Sequence, residues 1–197
     1  MTSPLRIGVL ALQGDVREHS AVLTALGAEP VPVRRPEQLG DVQGLVIPGG
    51  ESSVIDKLSR IFGLREPIRS AIANGLPVYG TCAGLILLAD EIEGAIEGQQ
   101  TFGGLDVTVA RNAFGRQVES FETRLAVGGI PGEVAATFIR APLITRVGPR
   151  AQAIAALPDG GVVAVAQGNL LGTSFHPEMN GETRLHARLL DLVRARG

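Results

Sequence analysis

The sequence predicts an α/β fold of three layers, with a mixed, mainly parallel sheet flanked by helices. Three observations predict it. Short runs such as residues 5–12 and 45–47 are almost continuously apolar, as strands covered on both faces should be. Stretches with helical spacing alternate with these runs. Paired glycines sit where strand gives way to helix, at Gly49-Gly50 and at Gly80 and Gly84. A chain of 197 residues, 45% hydrophobic and 19% charged, suits one domain over residues 1–197 with a substantial core.

Taken in order, residues 5–12 form the first strand. Asp15 caps a helix that runs to Leu26 and stops at Gly27, with His19 as a surface or boundary residue. Val31-Pro32-Val33 is a short strand that its prolines confine to a sheet edge. Leu45-Val46-Ile47 is the third strand. Pro48-Gly49-Gly50-Glu51-Ser52-Ser53 then turns into a helix ending at Phe62. That turn presents N–H groups able to cradle an oxyanion or a carboxylate; alternatively, Ser52 or Ser53 is simply a helix cap. A helix over 67–74 precedes the strand at 76–79, and a further helix follows from 83 to 89. Between 105 and 146, short alternating runs predict strands and hairpins, some antiparallel, around a polar loop at 111–116. The runs 161–166 and 169–175 form a hairpin joined by Gln167 and Gly168. Residues 182–195 close the chain as an amphipathic helix, with Leu185, Leu189, Leu192 and Val193 inward and His186 on its solvated or boundary face.

Two motifs carry chemistry. The one cysteine lies in Gly80-Thr81-Cys82-Ala83-Gly84, directly after a strand. The flanking glycines let the strand reverse sharply into a helix, with the apex side chain exposed in a strained backbone. Sulfur at a helix N-terminus meets N–H groups and a dipole that favour thiolate. A buried structural cysteine is the alternative, and it leaves the glycine frame without a purpose. Far downstream, Thr173-Ser174-Phe175-His176-Pro177-Glu178 ends a strand. Pro177 pushes His176 towards extended geometry, where residues two apart face the same way. His176 and Glu178 then offer a base and its orienter to a nucleophile. The same residues also suit a helix start, with proline at the first position and acid in the first turn. Both motifs fall at carboxyl ends of strands, where open α/β sheets place their sites.

Other classes are disfavoured. A net charge of −2 without a basic block offers no nucleic-acid footprint. No apolar run is long enough to span a bilayer. Lys57 is the sole lysine, so there is no Gly-Lys-Ser/Thr phosphate loop. Three histidines without ligand spacing argue for no metal. A lone cysteine and an N-terminal stretch unlike a signal peptide predict the cytoplasm. The arginines at 111, 116 and 140 either hold a carboxylate or are solvated surface groups.

The cysteine elbow together with His176-Pro177-Glu178 resembles the class I glutamine amidotransferases, the triad glutaminases. Further stretches are similar to the glutaminase subunits of pyridoxal phosphate synthase: Gly8-Val9-Leu10-Ala11-Leu12-Gln13-Gly14, Arg17-Glu18-His19, Pro48-Gly49-Gly50-Glu51-Ser52, Arg111-Asn112-Ala113-Phe114-Gly115-Arg116-Gln117 and Phe138-Ile139-Arg140-Ala141-Pro142. This resemblance implies a flavodoxin-like fold and Cys82, His176 and Glu178 as nucleophile, base and orienter. It implies that Gly50, Glu51, Ser52, Arg111, Ile139 and Arg140 contact L-glutamine. The chemistry needs an oxyanion hole, which the N–H groups of Ala83 and of the Gly49-Gly50 turn are placed to form. The resemblance further implies no cofactor, and a separate synthase subunit that receives ammonia internally and wakes a nearly silent glutaminase. A glutaminase serving another acceptor, and a non-hydrolytic cysteine redox or chaperone protein, remain alternatives at this point. Residues 91–102 suggest no role.

Overall fold

The apolar runs become strands and the amphipathic stretches become helices in a computed structural model that describes residues 3–111 and 120–196. In chain order these are β1 (Arg6–Leu10), α1 (Val16–Ala25), β2 (Glu29–Val33), β3 (Gly44–Ile47), α2 (Ser52–Ile61), α3 (Arg65–Ala73), β4 (Val78–Thr81), α4 (Ala83–Leu88), β5 (Ala89–Glu93) and β6 (Leu105–Ala110). There follow β7 (Ser120–Ala126), β8 (Glu133–Ile139), β9 (Leu143–Val147), β10 (Gln152–Ala156), β11 (Val162–Gln167), β12 (Leu170–Thr173) and α5 (Arg184–Arg196). Among the described residues, one sheet runs β2-β1-β3-β4-β12-β11-β9-β6-β5, with β10 added beside β11. The half from β2 to β12 is parallel throughout, and β11, β9 and β10 enter antiparallel. The proline-bearing β2 occupies the edge, as expected. A separate hairpin, β7–β8, stands off the main sheet.

Strand alternation explains the continuous apolar runs. Val46 and Tyr79 face one side of the sheet, where they join Leu23 of α1, Leu189 of α5 and Phe138 of β8. Their neighbours Leu45, Ile47 and Val78 face the other side, with Ile55 of α2, Ile68 of α3 and Leu85 of α4. Both faces are covered, so the central strands are largely apolar, with the polar Thr81 and Thr173 coming at their carboxyl ends.

Three expectations need correcting. His19 and His186 do not lie at the surface; both are fully buried, on the inner faces of α1 and α5. The β11–β12 hairpin pairs Gln167 with Leu170, so its turn is Gly168-Asn169, one residue later than predicted. Finally, β12 stops at Thr173, and residues Pro177–Asn180 form a 3₁₀ turn instead of an extended strand end. Among the described residues, no helix is long and apolar enough to cross a membrane.

Candidate active site

The elbow forms where β4 meets α4. Cys82 adopts φ 50° and ψ −102°, a left-handed conformation for a residue with a side chain. Such a backbone costs roughly 1–3 kcal/mol and persists only where its surroundings impose it. The surroundings are visible. The Cys82 N–H donates to the Thr173 carbonyl at 2.7 Å, continuing the register in which Thr81 faces Thr173. A side chain at Gly84 would collide with the carbonyl of Ile47, so glycine is what lets α4 close against β3. Ala83 is the first residue of α4, and its N–H has no partner within the helix.

The register that anchors Cys82 also delivers the histidine. Two residues beyond Ser174 the chain crosses β8, where the His176 N–H donates to the Thr137 carbonyl at 2.8 Å. Pro177 then opens the 3₁₀ turn, which swings Glu178 back beneath the ring. His176 Nδ1–H donates to Glu178 Oε1 at 2.8 Å, with both residues buried. The predicted pairing is therefore present, although a turn and not an extended strand makes it.

Asp15 was expected only to cap α1. It makes no side-chain cap hydrogen bond, and its Oδ2 lies 3.4 Å from His176 Nδ1 instead. Burial opposes charge on His176, but hydrogen bonds to Asp15, Cys82 and Glu178 outweigh it and push the imidazole up to about 12. Burial likewise raises the Glu178 carboxyl, with the His176 contact pulling it back. Asp15, His176 and Glu178 bring ligand-type atoms within 4.8 Å of one another. Because Nδ1 already donates to Glu178, this set works as a hydrogen-bonded cluster.

Cys82 and His176 open on a cleft of about 340 Å³ whose walls include Asp15, Gly50, Glu51, Ser52, Arg111, Ile139 and Arg140. All six residues expected to contact substrate thus share one cavity with the cysteine and histidine. Arg111 reaches Glu51 Oε1 and Gln99 Oε1, each at 2.7 Å. Gln99 in turn donates to Ser52 Oγ at 3.0 Å, so the unassigned 91–102 segment backs two residues of the wall. Glu51 itself is the N-cap of α2 and accepts from Ser53, so neither serine is the cap. The Glu51 N–H is held by Gln13 Oε1 at 2.7 Å. Arg140 likewise has a positive φ, 44°. The rest of the arginine loop, 112–117, lies outside the described residues.

Gly49 touches the imidazole. Its carbonyl accepts from the Asp15 N–H at 3.2 Å, and a Cβ there would run into His176 Cε1 and lie 2.7 Å from Asp15 Oδ2. Gly49→Ala is therefore expected to displace the ring and lower kcat/KM for glutamine about a hundredfold, the usual cost of a misplacement near 1 Å. An unchanged kcat/KM would mean that the ring is not seated against this turn during turnover.

A family model, the SNO glutamine amidotransferase family, matches residues 9–194. The chain belongs to this family. Relatives include the pyridoxal 5'-phosphate synthase subunit PdxT of Leifsonia xyli subsp. xyli, 62% identical over 197 residues and covering 100% of both chains. The protein of the same name from Streptomyces coelicolor is 56% identical over 190 residues, 96% of this chain and 94% of its own. A crystal structure of a glutamine amidotransferase superposes with a TM-score of 0.90 at 47% identity, covering 95% of this chain and 98% of its own. PurLQS from Thermotoga maritima, at 16% identity and a TM-score of 0.69, shares the fold over 96% of this chain and 99% of its own. As a glutamine amidotransferase this chain is an enzyme, and its sheet is the mostly parallel, helix-flanked one expected of the family.

Proposed function

We propose that residues 1–197 act as one glutaminase unit in a reducing, cytoplasmic setting. The unit hydrolyses L-glutamine to L-glutamate and ammonia as the ammonia-supplying subunit of a pyridoxal 5'-phosphate synthase. The observation that carries the reaction is that Cys82 and His176 open on one cleft with Glu178 hydrogen-bonded to His176 Nδ1. The names of the full-length relatives support the partner.

The residues divide the work as follows. Sulfur of Cys82 attacks the side-chain carbonyl carbon of glutamine, forming a C–S bond and an oxyanion. The N–H of Ala83 and those of the Gly49-Gly50 turn stabilise that oxyanion; one such donor contributes about 2.7–4 kcal/mol. His176, charged at rest, gives its proton to the amide nitrogen; the C–N bond breaks and ammonia leaves. Acylation ends the electrostatic and hydrogen-bonding contact of the sulfur with the ring, two of the causes that hold the imidazole high. Having given its proton to ammonia, the less basic imidazole of the thioester stays neutral and is free to take a proton from water. Hydroxide attacks the thioester carbon, the C–S bond breaks, and glutamate departs with the resting pair restored. Glu178 keeps the ring in one tautomer and stabilises the imidazolium. Glu51 and Arg140 offer opposite charges to the zwitterionic head of glutamine, while Gly50, Ser52, Arg111 and Ile139 shape the remaining wall.

The synthase subunit gates the site by ordering the glycine turn at Gly49-Gly50. Glutamate release is expected to be low for the chain alone and to rise when the synthase subunit is added. Equal turnover with and without it would sink the gating, and no release in either case would sink the glutaminase reading. Capture of the bound partner from the native organism separates this acceptor from that of another amidotransferase.

A further inference from the structure

Behind Glu178 lies a second pair of imidazoles that the mechanism above does not use. His19 and His186 are fully buried and come from helices at opposite ends of the chain. His19 Nδ1 and His186 Nε2 are 2.8 Å apart, a hydrogen bond in which one ring must donate. His19 Nε2 lies 3.1 Å from Thr81 Oγ1, in the elbow, and 3.5 Å from Glu178 Oε1. Among the described residues, His186 Nδ1 and Glu178 Oε2 are buried without a hydrogen-bond partner.

These contacts select one arrangement of protons. If His19 Nδ1 carried the hydrogen, His186 would hold its own on Nδ1, an orphaned buried N–H, and His19 would turn a lone pair towards the Glu178 carboxylate. Both features are costly. With the hydrogens on His186 Nε2 and His19 Nε2, His186 donates to His19, and His19 directs its N–H to Thr81 Oγ1 with the Glu178 carboxylate 3.5 Å from the same nitrogen. Only a bare ring lone pair on His186 is then left unpartnered, the cheaper orphan.

We propose that His186 fixes His19 as its Nε2–H tautomer, and that His19 is a positioning residue that holds the Glu178 carboxylate against His176. Other ionisable groups facing the pair are His176 and, edge-on to His186 at 5.3 Å between ring centres, Tyr79. Burial, with His186 and His176 nearby, holds His19 well below the usual imidazole range, and burial alone brings His186 down to about 4. Both rings are therefore neutral during turnover, so their hydrogens stay where geometry puts them. This role rests on the glutaminase reading, because it acts only through Glu178 and His176.

Two measurements test it. Long-range ¹H–¹⁵N spectra of the full chain labelled at histidine report tautomers directly, without any substitution and without activity. The expected result is a neutral His19 with its proton on Nε2; a proton on Nδ1, or on both nitrogens at neutral pH, overturns the proposal. In the complex with the synthase subunit, His19→Leu is expected to lower kcat about tenfold with KM for glutamine nearly unchanged. His19→Gln, which returns an N–H near the Nε2 position, recovers most of that loss. A His19→Leu enzyme with the wild-type kcat and pH profile overturns the proposal, as does a His19→Gln enzyme no better than His19→Leu. Absence of glutamate release by the wild-type complex overturns the glutaminase reading instead and leaves the spectra to judge the tautomer.

Discussion

Replacing Cys82 with alanine is expected to stop glutamine-fed synthesis while leaving ammonia-fed synthesis intact. The substitution removes the atom that forms the covalent intermediate, and the remaining hydrogen bonds do not supply another nucleophile. Glutamate release in the complex should fall by about 10⁴-fold or more, the scale seen when a nucleophile that works as a unit with its base is deleted. Added ammonium bypasses the step, because only the source of nitrogen is lost. Assaying glutamate and product in parallel checks both halves; normal glutamate release by Cys82→Ala would falsify the assignment of the nucleophile. The backbone gives a companion expectation. Cys82 sits at φ 50°, where alanine is strained and glycine is not. Cys82→Gly should therefore unfold at a higher temperature than Cys82→Ala, by about 1 kcal/mol of stability, although both are inactive. Equal melting temperatures would show that the elbow relaxes once the sulfur is gone.

The strands are legible because both sheet faces are covered: β1, β3, β4 and β12 are short runs apolar at most positions. The elbow was legible for a different reason. Its glycines answer a steric demand, close approach of α4 to the Ile47 carbonyl, and such a demand leaves its mark locally. The buried histidine pair reads as surface because polarity masks its spacing. His19, Val22, Leu23 and Leu26 stand at helical intervals of three and four residues, and so do His186, Leu189, Leu190 and Val193. That periodicity already put both rings on the inner faces. What no periodicity carries is that the two rings would satisfy one another, since they are 167 residues apart. Gln99 left no signal at all, because its partners Arg111 and Ser52 meet it only after the chain has folded. The His176–Glu178 contact was anticipated through an extended strand end. It arises from a proline-started turn, because fixed φ at Pro177 suits the first position of a helical turn as well as an extended segment.

The second large effect concerns the two carboxylates that face one ring nitrogen. Glu178 Oε1 stands 2.8 Å from His176 Nδ1 in a buried position, whereas Asp15 Oδ2 stands 3.4 Å away with a quarter of its side chain (25%) exposed. Desolvation and the shorter distance make Glu178 the stronger partner, and Asp15 the reserve. Glu178→Gln keeps a carbonyl oxygen that the His176 N–H can find, so the tautomer survives and only the charge is lost. That variant is expected to lose about 10²–10³-fold in kcat/KM, less than the roughly 10⁴-fold typical when the orienting carboxylate is lost and the wrong tautomer results. Asp15→Asn alone should cost about tenfold or less. The double variant leaves no carboxylate at the ring, and its loss should exceed the product of the two single losses. The pH profile has a defined sign. Each carboxylate raises the imidazole towards about 12, and the imidazolium is the form that protonates departing ammonia. Removing either one lowers that pKa, so activity should fail at a lower alkaline pH in each single variant than in wild type, and at a lower pH still in the double variant. If Asp15 did no more than begin α1, its replacement by asparagine would leave the alkaline limb where it was, and the two losses would simply multiply.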